Sequence, residues 1–124
     1  MGRITKDDYF FNIAREVASR SPCLKMKVGA IIVKGDTILS TGYNGPSRGE
    51  KHCDVCERLD LSHGTNYDNC PAVHAEVNCI INAARSGVSI LGGILYLYTG
   101  NSIEPCINCK RVLQNAGIEK VKVY

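Results

Sequence analysis

Tryptophan is absent from this 124-residue sequence, and its six tyrosines fall mostly in segments that read as strands. A surface that tracks a nucleic-acid strand needs stacking aromatics beside a basic groove. The basic half of that requirement is missing too. The formal net charge is +3, and the 15 Lys and Arg residues are scattered, with Lys25, Lys27 and Lys34 the densest local group. These shortages argue against a nucleic-acid partner and leave room for a small phosphorylated one. No apolar run approaches the length of a membrane span. The opening MGRITKDDYFFN lacks the apolar segment of a signal peptide. Gly2 is followed by Lys6, where a myristoylation motif takes Ser or Thr. The expectation is a cytoplasmic chain with no membrane partner, its residues 1–124 forming a single domain.

Histidine is scarce, at three, but cysteine is not: Cys23, Cys53, Cys56, Cys70, Cys79, Cys106 and Cys109. An odd number of cysteines without a secretory segment points to thiols and metal rather than to a disulfide framework. Two pairs, Cys53/Cys56 and Cys106/Cys109, have the C-x-x-C spacing.

Thr5-Lys6-Asp7-Asp8 resembles a capping box, and Phe10, Ile13, Ala14 and Val17 follow at helical spacing. A first helix is therefore expected from about Lys6 to Arg20. VGAIIV (28–33) and TILSTGYN (37–44) flank a KGD turn and read as a hairpin of buried strands. From Gly45 to Pro71 the chain has little periodicity, a length that calls for a function or a staple. A second helix is expected from Val73 to Ser86, with Val77, Ile80, Ile81 and Ala84 along one side. ILYLY (94–98) reads as the third strand. Pro105 is expected to open a third helix that Gly117 stops. IEKVKVY (118–124) reads as the fourth strand. The order α-β-β-α-β-α-β implies an α/β sheet covered by helices on its faces.

Cys106 and Cys109 then stand at i and i+3 on one helix face, in a first turn whose dipole favours thiolates. His74 occupies the matching place on the second helix. If the two helix starts converge, His74, Cys106 and Cys109 leave one position of a tetrahedron open, as in catalytic zinc sites. A water held there ionises near neutral pH. Glu76, two residues past His74, projects beside it and can carry protons. Taken singly, each element has a plainer explanation. A histidine at a helix start is more often a cap, a lone C-x-x-C is more often a redox pair or half of a structural site, and a first-turn glutamate usually answers the helix dipole. Together, H-x-E at one helix start and P-C-x-x-C at the next are specific.

HAE followed by PCINC, 32 residues after the histidine, resembles the signature of the zinc-dependent cytidine/deoxycytidylate deaminase superfamily. SPCLKMKVGAIIV, STGYNGPSRG, HAEVNCIINAARSG and CKRVLQNAGIEKVKVY extend the resemblance over nearly the whole chain and look most like deoxycytidylate (dCMP) deaminases. The resemblance implies a cytidine-deaminase-like three-layer α/β/α sandwich with a mixed central sheet. It implies conversion of dCMP to dUMP and ammonia, with zinc held by His74, Cys106 and Cys109. In that family zinc-bound hydroxide attacks C4 of the pyrimidine while the glutamate, here Glu76, protonates N3 and then the departing amine. The Ala75 backbone N–H is placed to meet the base. Asn44 matches the asparagine that holds the sugar, although a plain Asn-Gly turn is an equal reading. Lys27 and Arg85 match basic positions near the phosphate; solvated surface charge is the alternative. Some dCMP deaminases hold a second, structural zinc, which here would fall to Cys23, Cys53, Cys56 and Cys70, with His52 or His63 as substitutes; unpaired thiols are the alternative. Cys79 reads as a small buried residue. Related enzymes are commonly hexamers, so a homo-oligomer is expected. Other readings stay open: a deaminase of cytidine, dCTP, guanine or a nucleic-acid base, or a non-catalytic zinc-stapled binding module. The last gives Glu76 no role.

Overall fold

Thr5 starts the first helix: its hydroxyl accepts the Asp8 N–H at 3.1 Å, and Asp7 and Asp8 place negative charge at the positive end. The computed structural model describes residues 2–56, 58–59 and 70–124. In it α1 spans Lys6–Ala18, two residues short of the expected end, because Ser19 already closes the last turn onto the Arg15 and Glu16 carbonyls. β1 (Gly29–Lys34) and β2 (Thr37–Tyr43) form an antiparallel hairpin. Its turn residues, Gly35 and Asp36, have φ of 56° and 62°, the left-handed conformation that tight hairpins demand. β3 (Gly45–Pro46) and β4 (Ala72–Val73) pair as a short ribbon at the two ends of the irregular stretch. α2 (Ala75–Ser86), β5 (Ile94–Tyr98), α3 (Ile107–Asn115) and β6 (Lys120–Val123) follow. The expected order is present, with β3 and β4 added. Pro105 precedes α3 instead of opening it, and Cys106 is the N-cap.

The main sheet runs β2-β1-β5-β6. β1 is antiparallel to both β2 and β5, while β5 and β6 are parallel, joined through α3. Side chains alternate across the sheet. Ala30, Ile32, Leu95 and Leu97 join Ala75, Cys79, Ala83 and Leu113 on the side of α2 and α3. Ile31, Val33 and Tyr96 join Phe10 and Ala14 on the side of α1. The architecture is therefore a three-layer α/β/α sandwich around a mixed sheet. Ile31, Ile32, Leu95 and Leu97 are fully buried, and each such side chain contributes about 1.5–3 kcal/mol by leaving water.

The buried stripe of α2 differs from the expected one. It consists of Ala75, Glu76, Cys79 and Ala83, with Ile80 partly buried beside it, whereas Ile81 and Ala84 are exposed. The cause is how close α2 lies to β2. A Cβ on Gly42 would sit 2.3 Å from the Cys79 nitrogen and 2.8 Å from the Ala75 carbonyl oxygen. Only small side chains fit such a contact. Among the described residues no helix is long and apolar enough to cross a membrane.

Candidate metal centre and substrate cavity

α3 leaves the C-terminal end of β5 and leads back to the parallel β6, so its N-terminus lies at that end of the sheet. α2 packs beside it, and the first residues of the two helices meet. His74 is the N-cap of α2 and Cys106 the N-cap of α3, both with extended backbone (φ −67°, ψ 151° and φ −65°, ψ 164°). Neither side chain caps its own helix. They turn toward one another instead. His74 Nδ1 lies 3.6 Å from Cys106 Sγ and 3.2 Å from Cys109 Sγ. The three donor atoms all fall within 4.8 Å of one another, and among the described residues this is the one such group of His, Cys, Asp and Glu. One imidazole nitrogen and two thiolate sulfurs suit zinc, and three protein donors leave the fourth tetrahedral position for water or substrate.

Glu76, second residue of α2, is only 5 % exposed. Burial raises its carboxyl above the usual range, against the opposing pull of its own backbone N–H and of Cys109. The Cys109 thiol is also pushed up, first by burial and then by the Glu76 charge. Burial thus outweighs the helix dipole that was expected to favour the thiolate. A divalent cation beside the sulfur reverses this balance through its own charge.

The site opens onto a cavity of about 240 Å³, a little below the usual small-ligand range of roughly 300–1,000 Å³. His74, Ala75, Glu76 and Cys106 form part of its wall. Asn44 lines it too, but both ends of its carboxamide hold backbone. Oδ1 accepts the Val28 N–H at 2.9 Å and Nδ2 donates to the Met26 carbonyl at 2.8 Å. The side chain shapes the bend at residues 26–28 and keeps one N–H and one lone pair for other partners. The two expected phosphate residues are not part of the wall. Lys27 is exposed and donates to the Ser21 carbonyl. Arg85 is exposed in the last turn of α2, roughly 15 Å along the helix from its first residue.

Three wall residues had no signal strong enough to find them. Lys25 stood out only as one charge among several, and Arg58 lies in the aperiodic stretch; both line the cavity. Thr99 accepts the Asn101 and Ile103 N–H groups at 3.2 and 3.0 Å and donates to the Tyr124 carbonyl at 3.1 Å. It thereby shapes the segment leading into Cys106. Cys79 is fully buried, as expected.

The other four cysteines are part-exposed and unpaired. Burial first, and then the neighbouring Cys70, Cys23 and Cys56, push the Cys53 thiol up, so the four are electrostatic neighbours. They do not reach the mutual spacing of the His74 group. Cys23 and Cys70 line the same cavity as His74. His52 is exposed, and His63 lies outside the described residues.

Residues 4–124 match the family model of the cytidine and deoxycytidylate deaminase zinc-binding region. The deoxycytidylate deaminase of Mycobacterium phage D29 is 37% identical over 130 residues, covering 98% of this chain and 95% of the phage protein. The deoxycytidylate deaminase of Schizosaccharomyces pombe is 37% identical over 119 residues, covering 93% of this chain but 35% of the yeast protein. The crystal structure of dCMP deaminase from cyanophage S-TIM5 in complex with dCMP and dUMP superposes with a TM-score of 0.78 at 29% identity, over 100% of this chain and 86% of that one.

Proposed function

We propose that this chain, which belongs to the cytidine and deoxycytidylate deaminase zinc-binding family, hydrolyses dCMP to dUMP and ammonia. The family makes it a hydrolytic deaminase. The observation that carries the reading is the convergence of His74, Cys106 and Cys109 beside buried Glu76, at the wall of a cavity. The substrate assignment draws support from the phage relative, whose length this chain nearly spans.

His74, Cys106 and Cys109 would hold the zinc. When bound, zinc supplies Lewis acidity and a water that ionises near neutral pH. Glu76 carries the protons: its carboxylate takes one from the attacking water and gives it to N3 of the pyrimidine, then takes the second from the hydroxyl now on C4 and delivers it to the amine, so that the C4–N bond breaks as the C4 carbonyl forms. Burial raises its pKa, the direction that favours a carboxyl which must give up a proton as well as take one. Ala75 lines the cavity, and its N–H is one of the first-turn donors of α2 that no helical carbonyl takes up, which supports a bond from it to the base. Asn44 holds the sugar through the polar capacity its backbone bonds leave over.

A second zinc on Cys23, Cys53, Cys56 and Cys70 would tie the irregular stretch to the cavity wall. The mutual influence of these thiols supports it. We read residues 1–124 as a single domain. Exposed Ile81, Ile107 and Val112 on α2 and α3 support a homo-oligomer, which sedimentation would measure. Seven unpaired cysteines support a cytoplasmic enzyme of pyrimidine nucleotide metabolism that feeds dTTP supply.

The test is ultraviolet absorbance loss with dCMP, CMP, deoxycytidine, dCTP, guanine and a short single-stranded DNA. Turnover of dCMP above the others is expected. Preference for another member of the panel replaces the substrate and keeps the chemistry. Zinc-loaded, folded protein that turns over none of them overturns the reading.

A further inference from the structure

His74 starts α2 without doing what the first residue of a helix ordinarily does. A side chain at that position usually accepts a first-turn N–H and so fixes the angle at which the chain enters the helix. The His74 imidazole makes no such bond and is turned toward Cys106 and Cys109. Asn78, one turn further on, holds the entry instead. Its backbone N–H donates to the His74 carbonyl at 2.9 Å. Its side-chain amide gives both protons to backbone, at 3.3 Å to the Val73 carbonyl and at 2.8 Å to the Tyr43 carbonyl. The peptide groups before and after His74 are thus both tied to residue 78, and residue 78 is tied to the end of β2. Asn82, another turn along, binds the same outer strand. It donates to the Thr41 carbonyl at 2.8 Å and accepts the Arg48 guanidinium at 2.6 Å. Between Thr41 and Tyr43 lies Gly42, which lets α2 lie against the strand. Both asparagines fasten the helix to the sheet, but of the two only Asn78 also bonds the residue that precedes a metal donor.

We propose that Asn78 is a positioning residue for the metal centre: it fixes the backbone on both sides of His74 against the end of β2, so that the imidazole can serve the metal instead of the helix. This rests on the zinc reading of His74, Cys106 and Cys109 above. Asn78 is neither a member of the donor group nor part of the cavity wall. Its effect passes through Val73 and His74. Holding the two peptide groups that flank a ligand fixes the direction of its Cα–Cβ bond, and a metal site tolerates only about 0.5 Å of misplacement.

The experiment follows zinc release to a chromophoric chelator from wild type, Asn78→Ala, Asn78→Asp and Asn82→Ala, beside melting temperature and kcat for dCMP. The release phase missing from His74→Ala belongs to this site and separates it from any zinc on the other cysteines. Ionised Asp has the shape of Asn but no proton to donate. Both Asn78 variants should release that zinc about 10-fold faster and lose a similar factor in kcat. Asn82→Ala should lose as much in melting temperature and keep the release rate within about two-fold. A helix that is merely looser does not separate the two positions in this way. Release that tracks melting temperature alike in the Asn78 and Asn82 variants, or a wild-type rate in Asn78→Asp, overturns the proposal. If Asn78→Asp does not fold, Asn78→Ala against Asn82→Ala decides it. A wild type with no release phase that depends on His74 overturns the zinc site and this inference with it. A wild type that holds this zinc but deaminates no cytosine nucleotide overturns the functional reading instead, and the release rates still judge Asn78.

Discussion

Two groups of cysteines meet at one cavity, and they are held in opposite ways. Cys106 and Cys109 belong to the start of a helix that packs on the sheet, and His74 belongs to the start of its neighbour. Their donor atoms converge to within 4.8 Å. Cys23, Cys53, Cys56 and Cys70 lie in chain without helix or strand, and they influence one another without reaching that spacing. The difference follows from what orders each region. The first group is organised by sheet and helix packing, in which fully buried Leu95, Leu97 and Cys79 take part. Among the described residues none of the second group belongs to the two buried clusters, and the zinc proposed there would supply order by binding.

The sharpest break in that comparison is Glu76→Gln. It should reduce turnover about 10²- to 10⁴-fold while zinc content, by atomic absorption, stays at the wild-type value. A variant that loses its zinc as well would make Glu76 part of the scaffold and not the proton carrier.

Cys53→Ser should act on the other group alone. Wild type should hold two zinc ions per chain and the variant one, with turnover per remaining zinc within about three-fold. The melting temperature should fall by about 10 °C or more, because metal affinity in such a region is folding energy. One zinc in the wild type removes the second site.

Gly42→Ala tests the packed scaffold of the first group. The added carbon would meet the Cys79 nitrogen at 2.3 Å. α2 must move, at a cost of about 1–3 kcal/mol, seen as a lower melting temperature and, since α2 carries His74 and Glu76, lower activity. Zinc loss confined to Cys23, Cys53, Cys56 and Cys70 would contradict this account.

The smallest effect lies on the far face of the sheet. Lys122 first, and then the Tyr96 hydroxyl, hold the Asp7 carboxyl below its ordinary value of 3.8. The folded value is depressed, so the stabilisation is complete above the unfolded pKa and is lost as pH falls through the folded one. Asp7 is about half exposed (48%), so Asp7→Asn should cost less than about 1 kcal/mol at neutral pH. Thermal melts from pH 7 to pH 2 should show wild type and variant converging at the acid end. Divergence there would reverse the sign.

Both comparisons concern residues that were easy or hard to see before folding. His74, Glu76, Cys106 and Cys109 were legible because short spacing at a helix start dictates direction: residues two or three apart near an N-cap can only point a few ways. The order of elements along the chain was legible in outline because β1 and β5 are short apolar runs, whereas the strand order β2-β1-β5-β6 came only with the structure. The buried stripe of α2 was not. Periodicity favours the large apolar residues, but the close approach at Gly42 selects Ala75, Cys79 and Ala83. Lys25 and Arg58 were invisible for a different reason: neither sits in a periodic element that would dictate its direction.

The sequence by itself determined the chemistry on offer: one imidazole, thiols at C-x-x-C spacing, a carboxyl beside them, and elements able to carry them. These are local properties, set by residue type and by separations of a few positions. Tertiary structure alone decided that two helix starts 32 residues apart share one point in space, that burial raises Glu76, and that Lys25 and Arg58, but not Lys27 and Arg85, reach the cavity. Those depend on which faces pack and how closely, and packing distance is a property of the assembled layers.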